Sequence, residues 1–285
     1  MSIIMNGKEL AQQLAEKQKT RVKLLIDKHQ HQPSLCVVTV GEDDASSVYV
    51  RQKKRACEEL GILFHHVVLP NIVDQLGLNQ CLLHNRYVCS SDGVILQLPI
   101  PKHLDPVKAG ECIPLSKDVD GFGLANIGAL QKGLPDAVEP CTPKGILYML
   151  RAYNVPLDGV HAVIIGRSDI VGKPLATMLT NANCTVTLCH SHTKNLPEMT
   201  RTADILVSAV GKAGFIKSDM VKPGAAVVDV GINRKENGTL CGDADFDAVK
   251  DICGWISPVP GGVGKMTVAM LMENTITAAE NSIGL

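Results

Sequence analysis

One segment of the chain reads His161-Ala-Val-Ile-Ile-Gly-Arg-Ser-Asp-Ile-Val-Gly-Lys-Pro174 and passes from an apolar run into a turn with two glycines. A helical pattern follows at 175–181, so the segment predicts a strand, a tight turn and a helix N-terminus. Such a junction directs backbone N–H groups and the positive end of a helix dipole toward one point, which suits the pyrophosphate of a dinucleotide. Ser168 stands at the second position of the G-x-G-x-x-G pattern, so an ordinary strand-to-helix turn is the alternative.

The next predicted strand, 185–189, bears on which dinucleotide the chain binds. It ends in His190-Ser191-His192-Thr193, where an NAD-binding protein usually has Asp or Glu for the ribose 2′-hydroxyl. Without a carboxylate there, Arg167, Ser191 and the histidines can surround a 2′-phosphate, so the sequence favours NADP.

Composition narrows the class of protein. The chain has 285 residues, 45% of them apolar, which is enough for two domains with cores of their own. The formal net charge is −1 and no run of like charges occurs, so we expect a small-molecule partner and no nucleic acid or membrane surface. Neither a signal peptide nor an apolar run of membrane-spanning length is present, which predicts a soluble, cytoplasmic protein.

The ten cysteines form no C-x-x-C pair and occur singly in apolar segments, which indicates reduced core thiols. Cys189-His190-Ser191-His192 superficially resembles a metal cluster, but no distant pair of ligands completes it. We therefore predict no metal site.

The chain before residue 100 alternates helix and strand patterns. An amphipathic helix is predicted at 7–28, and a βαβαβ unit follows it, with strands at 35–40, 62–69 and 93–98 and helices at 45–60 and 75–85. Residues 102–140 are predicted to be a functional loop and a linker. Thr142-Pro143 predicts the start of a helix over 144–154, later strands are expected at 205–209 and 225–230, and a closing helix at 266–282.

Four polar side chains stand out. Tyr49 and Lys53 are four residues apart on a predicted helix and so share one face, where they can hold a flat heterocycle beside a proton-transfer group. A solvated helix face is the alternative. Gln97 near a strand end and Asp120 in Lys117-Asp-Val-Asp-Gly121 are either loop polar groups or ligand-binding groups at the sheet edge.

Together these segments resemble the bifunctional methylenetetrahydrofolate dehydrogenase and methenyltetrahydrofolate cyclohydrolase family over almost the whole chain. The matching segments are Tyr49-Val-Arg-Gln-Lys-Lys-Arg-Ala-Cys57, Gly93-Val-Ile-Leu-Gln-Leu-Pro99, Lys117-Asp-Val-Asp-Gly-Phe122, Pro140-Cys-Thr-Pro-Lys-Gly145, Gly166-Arg-Ser-Asp-Ile-Val-Gly-Lys-Pro174, Val228-Asp-Val-Gly-Ile-Asn233 and Pro258-Val-Pro-Gly-Gly-Val-Gly264.

The resemblance implies an α/β protein of two domains. Residues 1–140 and 266–285 would form an N-terminal α/β/α folate-binding catalytic domain, to which the C-terminal helix returns. Residues 141–265 would form a Rossmann-type NADP-binding domain, and the protein would be a homodimer.

The implied activity is NADP-dependent oxidation of 5,10-methylenetetrahydrofolate to the methenyl cation and hydrolysis of that cation to 10-formyltetrahydrofolate. In this resemblance Lys53 matches the catalytic lysine, Tyr49 the residue that stacks on folate, Gln97 the partner that tunes the lysine, and Asp120 the carboxylate that binds the pterin edge.

The same resemblance implies the binding residues. Those for substrate are Tyr49, Leu98, Pro99, Asp120, Pro260, Gly261, Gly262 and Val263. Those for NADP are Gly166, Arg167, Ser168, Val171, Gly172, His190, Ser191 and Ile232.

The sequence departs from the family pattern at several positions. Asp43-Asp44 replace Asn-Pro, Asp169 replaces an asparagine and Lys265 replaces a proline. Asp169 puts a negative charge beside the phosphate turn, which we expect to weaken cofactor binding modestly. Lys265 either engages a folate carboxylate or caps its turn.

Two other functions compete with the enzyme hypothesis. A folate- or NADP-binding regulatory protein without turnover would not need Lys53, Gln97 and Asp120 intact. A related two-domain dehydrogenase for a hydroxy acid would not need the Tyr49-to-Lys53 helix or the Asp120 loop.

Overall fold

The computed structural model describes residues 2–41, 44–235 and 237–285. The Asp43 departure lies outside the described residues. In chain order the elements are β1 (Ile3–Ile4), α1 (Gly7–His29), β2 (Ser34–Val40), α2 (Asp44–Leu60), β3 (Leu63–Leu69), α3 (Gln75–His84), α4 (Arg86–Ser90), β4 (Gly93–Leu96), α5 (Pro106–Gly110), α6 (Leu124–Gln131), α7 (Cys141–Ala152), β5 (His161–Ile165), α8 (Gly172–Asn181), β6 (Thr185–Cys189), α9 (Leu196–Thr200), β7 (Ile205–Ser208), β8 (Ala226–Asp229), β9 (Asn233–Arg234), β10 (Leu240–Cys241), α10 (Phe246–Val249), β11 (Trp255–Ile256) and α11 (Val263–Ser282).

The chain forms two compact units. Unit 1 comprises Met1–Gln12 and Thr142–Thr267, and unit 2 comprises Gln13–Cys141 and Val268–Leu285. The two-domain α/β class is therefore as predicted. None of the described helices is both long enough and apolar enough to span a membrane.

Unit 2 contains a three-stranded parallel sheet in the order β3-β2-β4. The central strand β2 is buried at every residue, as its unbroken apolar pattern predicts for a parallel strand covered on both faces. The edge strand β3 has exposed positions alternating with half-buried ones. One face of the sheet packs Cys36 and Val38 against Leu78 and Leu82 of α3.

The segment 102–140 has more structure than the sequence analysis predicts, since it contains α5, α6 and a 3-10 helix at Leu115–Lys117. These elements are too short to give a clear hydrophobic period. The start of α5 nevertheless has a readable signal. Asp105 accepts hydrogen bonds from the backbone N of Val107 and Lys108, and Pro106 occupies the first turn.

The last helix joins unit 2 through its residues after 267, which agrees with the predicted return of the C-terminal helix. Arg21 of α1 donates to both carboxylate oxygens of Glu280, at 2.8 and 2.5 Å. It also bonds to Glu273 and Thr277 of α11. A planar guanidinium matches a carboxylate in this bidentate geometry, so Arg21 fixes the register of α11 on α1.

Unit 1 contains a six-stranded parallel sheet in the order β1-β11-β8-β7-β5-β6, as expected of a Rossmann-type domain. Its inner strands β5, β7 and β8 consist almost entirely of buried residues. The edge strand β1 donates from Ile3 N to Gly254 O at 2.8 Å and pairs with β11. The contact grouping accordingly includes residues 1–12 in unit 1, whereas the predicted domain covers 1–140.

Replacement of Arg21 by Met tests how α11 is attached. We expect the free energy of unfolding of unit 2 to fall by about 1–2 kcal/mol, because two part-buried carboxylates lose charge-assisted hydrogen bonds. Urea unfolding followed by circular dichroism measures the change. Arg55→Met is the matched control, since Arg55 pairs with Glu59 on the exposed surface of α2. Equal losses in the two variants would contradict the assignment.

Candidate active site

The central contact of unit 2 joins α2 to the end of β4. Lys53 Nζ donates to Gln97 Oε1 at 2.7 Å. The Gln97 side-chain nitrogen donates to Leu98 O at 2.7 Å, and its backbone nitrogen donates to Val38 O at 2.8 Å. The bond to Leu98 O settles which end of the amide faces the lysine. The predicted pairing of Lys53 with Gln97 is therefore present in the structure.

Burial sets the protonation of this lysine. It lowers the pKa of Lys53, and the nearby Asp120 carboxylate offsets part of that effect. Burial also raises the pKa of Asp120, and the Lys53 charge offsets part of it. A neutral amine is therefore accessible at lower pH than for an exposed lysine, which suits a general base.

The loop that carries Asp120 is held by a neighbouring carboxylate. Asp118 Oδ1 accepts from Gly121 N at 2.9 Å. Its Oδ2 accepts from Gly123 N at 2.8 Å and from Asn126 Nδ2 at 2.8 Å. Asp118 is buried and also forms a parallel bridge to Val94 of β4, so the loop follows the sheet edge. The sequence analysis missed this role, although Asp118 lies two residues before Asp120.

Two further residues that the sequence analysis did not single out contact this loop. Cys141 Sγ donates to Asp120 Oδ1 at 3.5 Å. Asn274 Nδ2 donates to Val119 O at 2.9 Å and to Glu139 O at 3.0 Å. Asn274 belongs to α11, so the returning helix supports the carboxylate loop as well as the core.

The remaining predicted substrate residues of unit 2 lie close to Lys53 or Gln97 in the sequence and differ in exposure. Tyr49 precedes Lys53 by one helical turn and is 42% exposed, so part of its side chain is accessible to a ligand. Leu98 is half-buried and Pro99 is exposed. A cavity of about 60 Å³ adjoins Asp120, and apolar side chains such as Leu98 form most of its wall. The carboxylate therefore borders a space with few competing polar groups.

The phosphate turn of unit 1 needs glycine at two positions. Gly166 has a φ of +118°, and a Cβ there would lie 2.4 Å from Ala209 O. A Cβ on Gly172 would lie 1.9 Å from Gly166 O. Ser168 Oγ accepts from Val171 N at 3.2 Å and so shapes the turn before α8 begins at Gly172.

The ends of β5 and β6 bring the predicted 2′-phosphate groups together. Ile165 pairs with Cys189, so Arg167 and His190 follow neighbouring strand ends. Partial burial lowers the pKa of His190, and the Arg167 charge lowers it further. Arg167 and Ser191 are exposed. A guanidinium and a hydroxyl beside the start of a helix form a donor set that fits the phosphates of NADP.

The Asp169 departure has a compensating partner. Asp169 Oδ1 accepts from Lys173 Nζ at 2.5 Å, four residues further along the chain. The two side chains are exposed, at 80% and 59%. The cation offsets the extra negative charge beside the phosphate turn, so the expected weakening of cofactor binding is reduced.

The other predicted ligand residues lie in unit 1. Pro260, Gly261 and Gly262 form the turn after β11, and Val263 begins α11 and is buried. Gly261 O accepts from Lys8 N at 2.9 Å. Ile232 follows β8 and is 50% exposed.

Among the described residues, no group of three or more His, Cys, Asp or Glu side chains is placed to hold a metal ion.

Two family models match the chain. Residues 5–120 match "Tetrahydrofolate dehydrogenase/cyclohydrolase, catalytic domain", and residues 140–283 match "Tetrahydrofolate dehydrogenase/cyclohydrolase, NAD(P)-binding domain". The chain is 49% identical over 282 residues to bifunctional protein FolD of Dechloromonas aromatica, with 99% of each protein covered.

Solved structures give the same result. The bifunctional FolD dehydrogenase/cyclohydrolase of Campylobacter jejuni has a TM-score of 0.95 and 44% identity, with 99% of this chain and 100% of that chain covered. The Trypanosoma brucei dehydrogenase-cyclohydrolase, solved with NADP and an inhibitor, has a TM-score of 0.93 and 34% identity, with coverages of 100% and 99%.

Proposed function

We infer the function from a premise that the matches supply: this chain belongs to the tetrahydrofolate dehydrogenase/cyclohydrolase family. The protein is an enzyme that oxidises 5,10-methylenetetrahydrofolate with NADP and hydrolyses the methenyl product to 10-formyltetrahydrofolate. The observation that carries this assignment is the half-buried Lys53, which donates to Gln97, lies near the Asp120 carboxylate and has its pKa lowered by desolvation. A binding protein without turnover has no need of a lysine with a lowered pKa.

We propose the following roles in the oxidative step. Bound NADP would supply the acceptor for a hydride from the methylene carbon. The Tyr49 ring offers an exposed face to the folate, and the Asp120 carboxylate accepts N–H groups of the pterin edge. These contacts restrict the orientation of the methylene carbon, which is the main contribution a protein makes to hydride transfer.

The hydrolytic step needs a proton acceptor. Neutral Lys53 takes a proton from the water that attacks the methenyl carbon. A carbon–oxygen bond forms, and as one carbon–nitrogen bond breaks the released ring nitrogen takes up the second proton of that water, which leaves the formyl C=O. The proton taken by Lys53 then passes to solvent. Gln97 holds the lysine amine in place through the 2.7 Å bond to its Nζ. The positive charge of the substrate further disfavours the ammonium form of Lys53.

The cofactor site that we propose lies in unit 1. Gly166, Ser168, Val171 and Gly172 would hold the pyrophosphate at the start of α8. Arg167, His190 and Ser191 would hold the 2′-phosphate, and Ile232 would contact the nicotinamide half. We further propose that the turn Pro260–Gly262 and Val263 contact the substrate.

The proposal also covers the cellular compartment and the oligomeric state of the enzyme. We place the enzyme in the cytoplasm, where its ten cysteines suit a reducing compartment. The family resemblance supports a homodimer. A net charge of −1 gives no basis for nucleic-acid binding.

Incubation with methylenetetrahydrofolate and NADP tests the function. We expect NADPH to form and the absorbance of the methenyl compound to rise and then decay. Absence of NADPH would contradict the dehydrogenase, and a methenyl signal that decays no faster than without enzyme would contradict the cyclohydrolase. A hydroxy-acid dehydrogenase would be silent with this substrate.

Lys53→Met should lower cyclohydrolase turnover by about 10²- to 10⁴-fold, the usual contribution of a general base, and leave NADP affinity near normal. Gln97→Ala should do less damage and mainly shift the pH profile, because Gln97 acts on the lysine. Steady-state rates of both activities across pH measure the effects. Lys54→Met is the matched control, since Lys54 is exposed. A Lys53→Met enzyme that hydrolyses the methenyl compound at full rate would assign catalysis elsewhere.

Arg167→Ala should weaken NADP binding by about 10- to 100-fold and leave NAD binding nearly unchanged, because only NADP has a 2′-phosphate for the guanidinium. Calorimetric titration of both cofactors gives the ratio. Arg201→Ala is a suitable control, because the side chain of this exposed arginine donates to Asp219 O, away from the phosphate turn in the sequence. Equal affinity of the unmodified protein for NADP and NAD would refute the preference.

A further inference from the structure

Two buried carboxylates in unit 1 have no part in the chemistry described above. Asp229 is the last residue of β8 and is 3% exposed, and Asp243 is fully buried after β10. The strand register pairs Ile165 with Ser208 and Ser208 with Asp229. The phosphate turn, the loop after β7 and Asp229 therefore follow one another along the same edge of the sheet.

Asp229 holds the segment 242–244. Its Oδ1 accepts from Asp243 N at 2.9 Å and from Gly231 N at 3.0 Å, and its Oδ2 accepts from Ala244 N at 2.8 Å. A Cβ on Gly242 would lie 1.9 Å from Asp229 Oδ2. The segment is thus packed directly onto the carboxylate, with no space for a side chain at Gly242.

Asp243 in turn holds the loop after β7. Its carboxylate accepts hydrogen bonds from five groups: Ser208 Oγ at 3.1 Å, Val210 N at 2.8 Å, Gly211 N at 3.3 Å, Lys212 N at 2.9 Å and Asn233 Nδ2 at 3.0 Å. All five are donors. A carboxylate satisfies them all, whereas a carboxamide would turn its own N–H groups toward donors.

The loop held by Asp243 borders the phosphate turn. Ala209 N donates to Ile165 O at 2.8 Å, and Ala209 O is the atom that excludes a Cβ at Gly166. Asn233, a further donor to Asp243, follows Ile232 in the chain. A displacement of Asp243 therefore moves backbone on both sides of the proposed cofactor site.

We propose that Asp243, itself held by Asp229, is a positioning residue for NADP that fixes the 209–212 loop against the phosphate turn. This inference rests on the proposed function. The two carboxylates act in series, because Asp229 fixes the segment from which Asp243 reaches the loop. Neither of them needs to touch the cofactor.

Asp243→Asn should raise the KM for NADP in the dehydrogenase reaction by about tenfold or more, because a buried charge-assisted network is broken. Turnover of preformed methenyltetrahydrofolate, which transfers no hydride, should stay within about twofold. Asp247→Asn is the matched control, since Asp247 is exposed and pairs with Lys250 on the surface. An unchanged KM for NADP would overturn the proposal, and so would a proportional loss of both activities.

Ser208→Ala removes one neutral donor from the network and keeps the rest, so it decides the matter if Asp243→Asn does not fold. We expect its KM for NADP to rise by about threefold, and no change would overturn the proposal. The double variant Asp229→Asn, Asp243→Asn should be no worse than the more damaged single variant, because the residues act in series. Additive effects of the two substitutions on the KM for NADP would contradict the idea that Asp229 acts through Asp243. A wild-type protein that reduces no NADP would refute the proposed function instead.

Discussion

Proton transfer at the active site depends on one constraint, the desolvation of the Lys53 amine. Lys53 sits where desolvation disfavours its ammonium form, and its Nζ donates to Gln97 Oε1. A lysine in water would be charged at neutral pH and could not accept a proton. The fold meets this constraint by placing α2 over the end of β4 and by bringing Asp120 close enough to offset part of the burial. The lowered pKa is therefore a property of the whole of unit 2.

Buried carboxylates hold the loops that follow strand ends in both units. Such loops have no ladder partners, so their backbone N–H groups need other acceptors. In unit 2 the buried Asp118 accepts from three consecutive amides of the Asp120 loop, at Gly121, Phe122 and Gly123. In unit 1 Asp229 and Asp243 do the same for the loops beside the phosphate turn. One buried carboxylate for each loop keeps functional segments rigid without adding regular structure.

The sequence predicted those features that repeat over many residues. Long periodic elements such as α1 and the apolar strand β2 agree with prediction within one residue, and the Tyr49-to-Lys53 spacing placed both residues on one helix. The two-residue strand β1 has no readable period, so the sequence could not predict its pairing in the sheet of unit 1. The roles of Asp118, Asn274 and Asp243 arise from contacts distant in sequence or specific to one loop. The Asp169–Lys173 pair, by contrast, has a spacing that could have been recognised.

The most direct test is the pKa of Lys53 itself. Titration of protein with ¹³C-labelled lysine, followed by NMR of the side-chain carbon next to Nζ, reports this value in the wild type and in Asp120→Asn. We expect a pKa below the ordinary lysine value of about 10.4 in the wild type. It should be lower still in Asp120→Asn, because the carboxylate that favours the ammonium form is gone. A wild-type pKa at or above the ordinary value, or a rise in Asp120→Asn, would contradict the account.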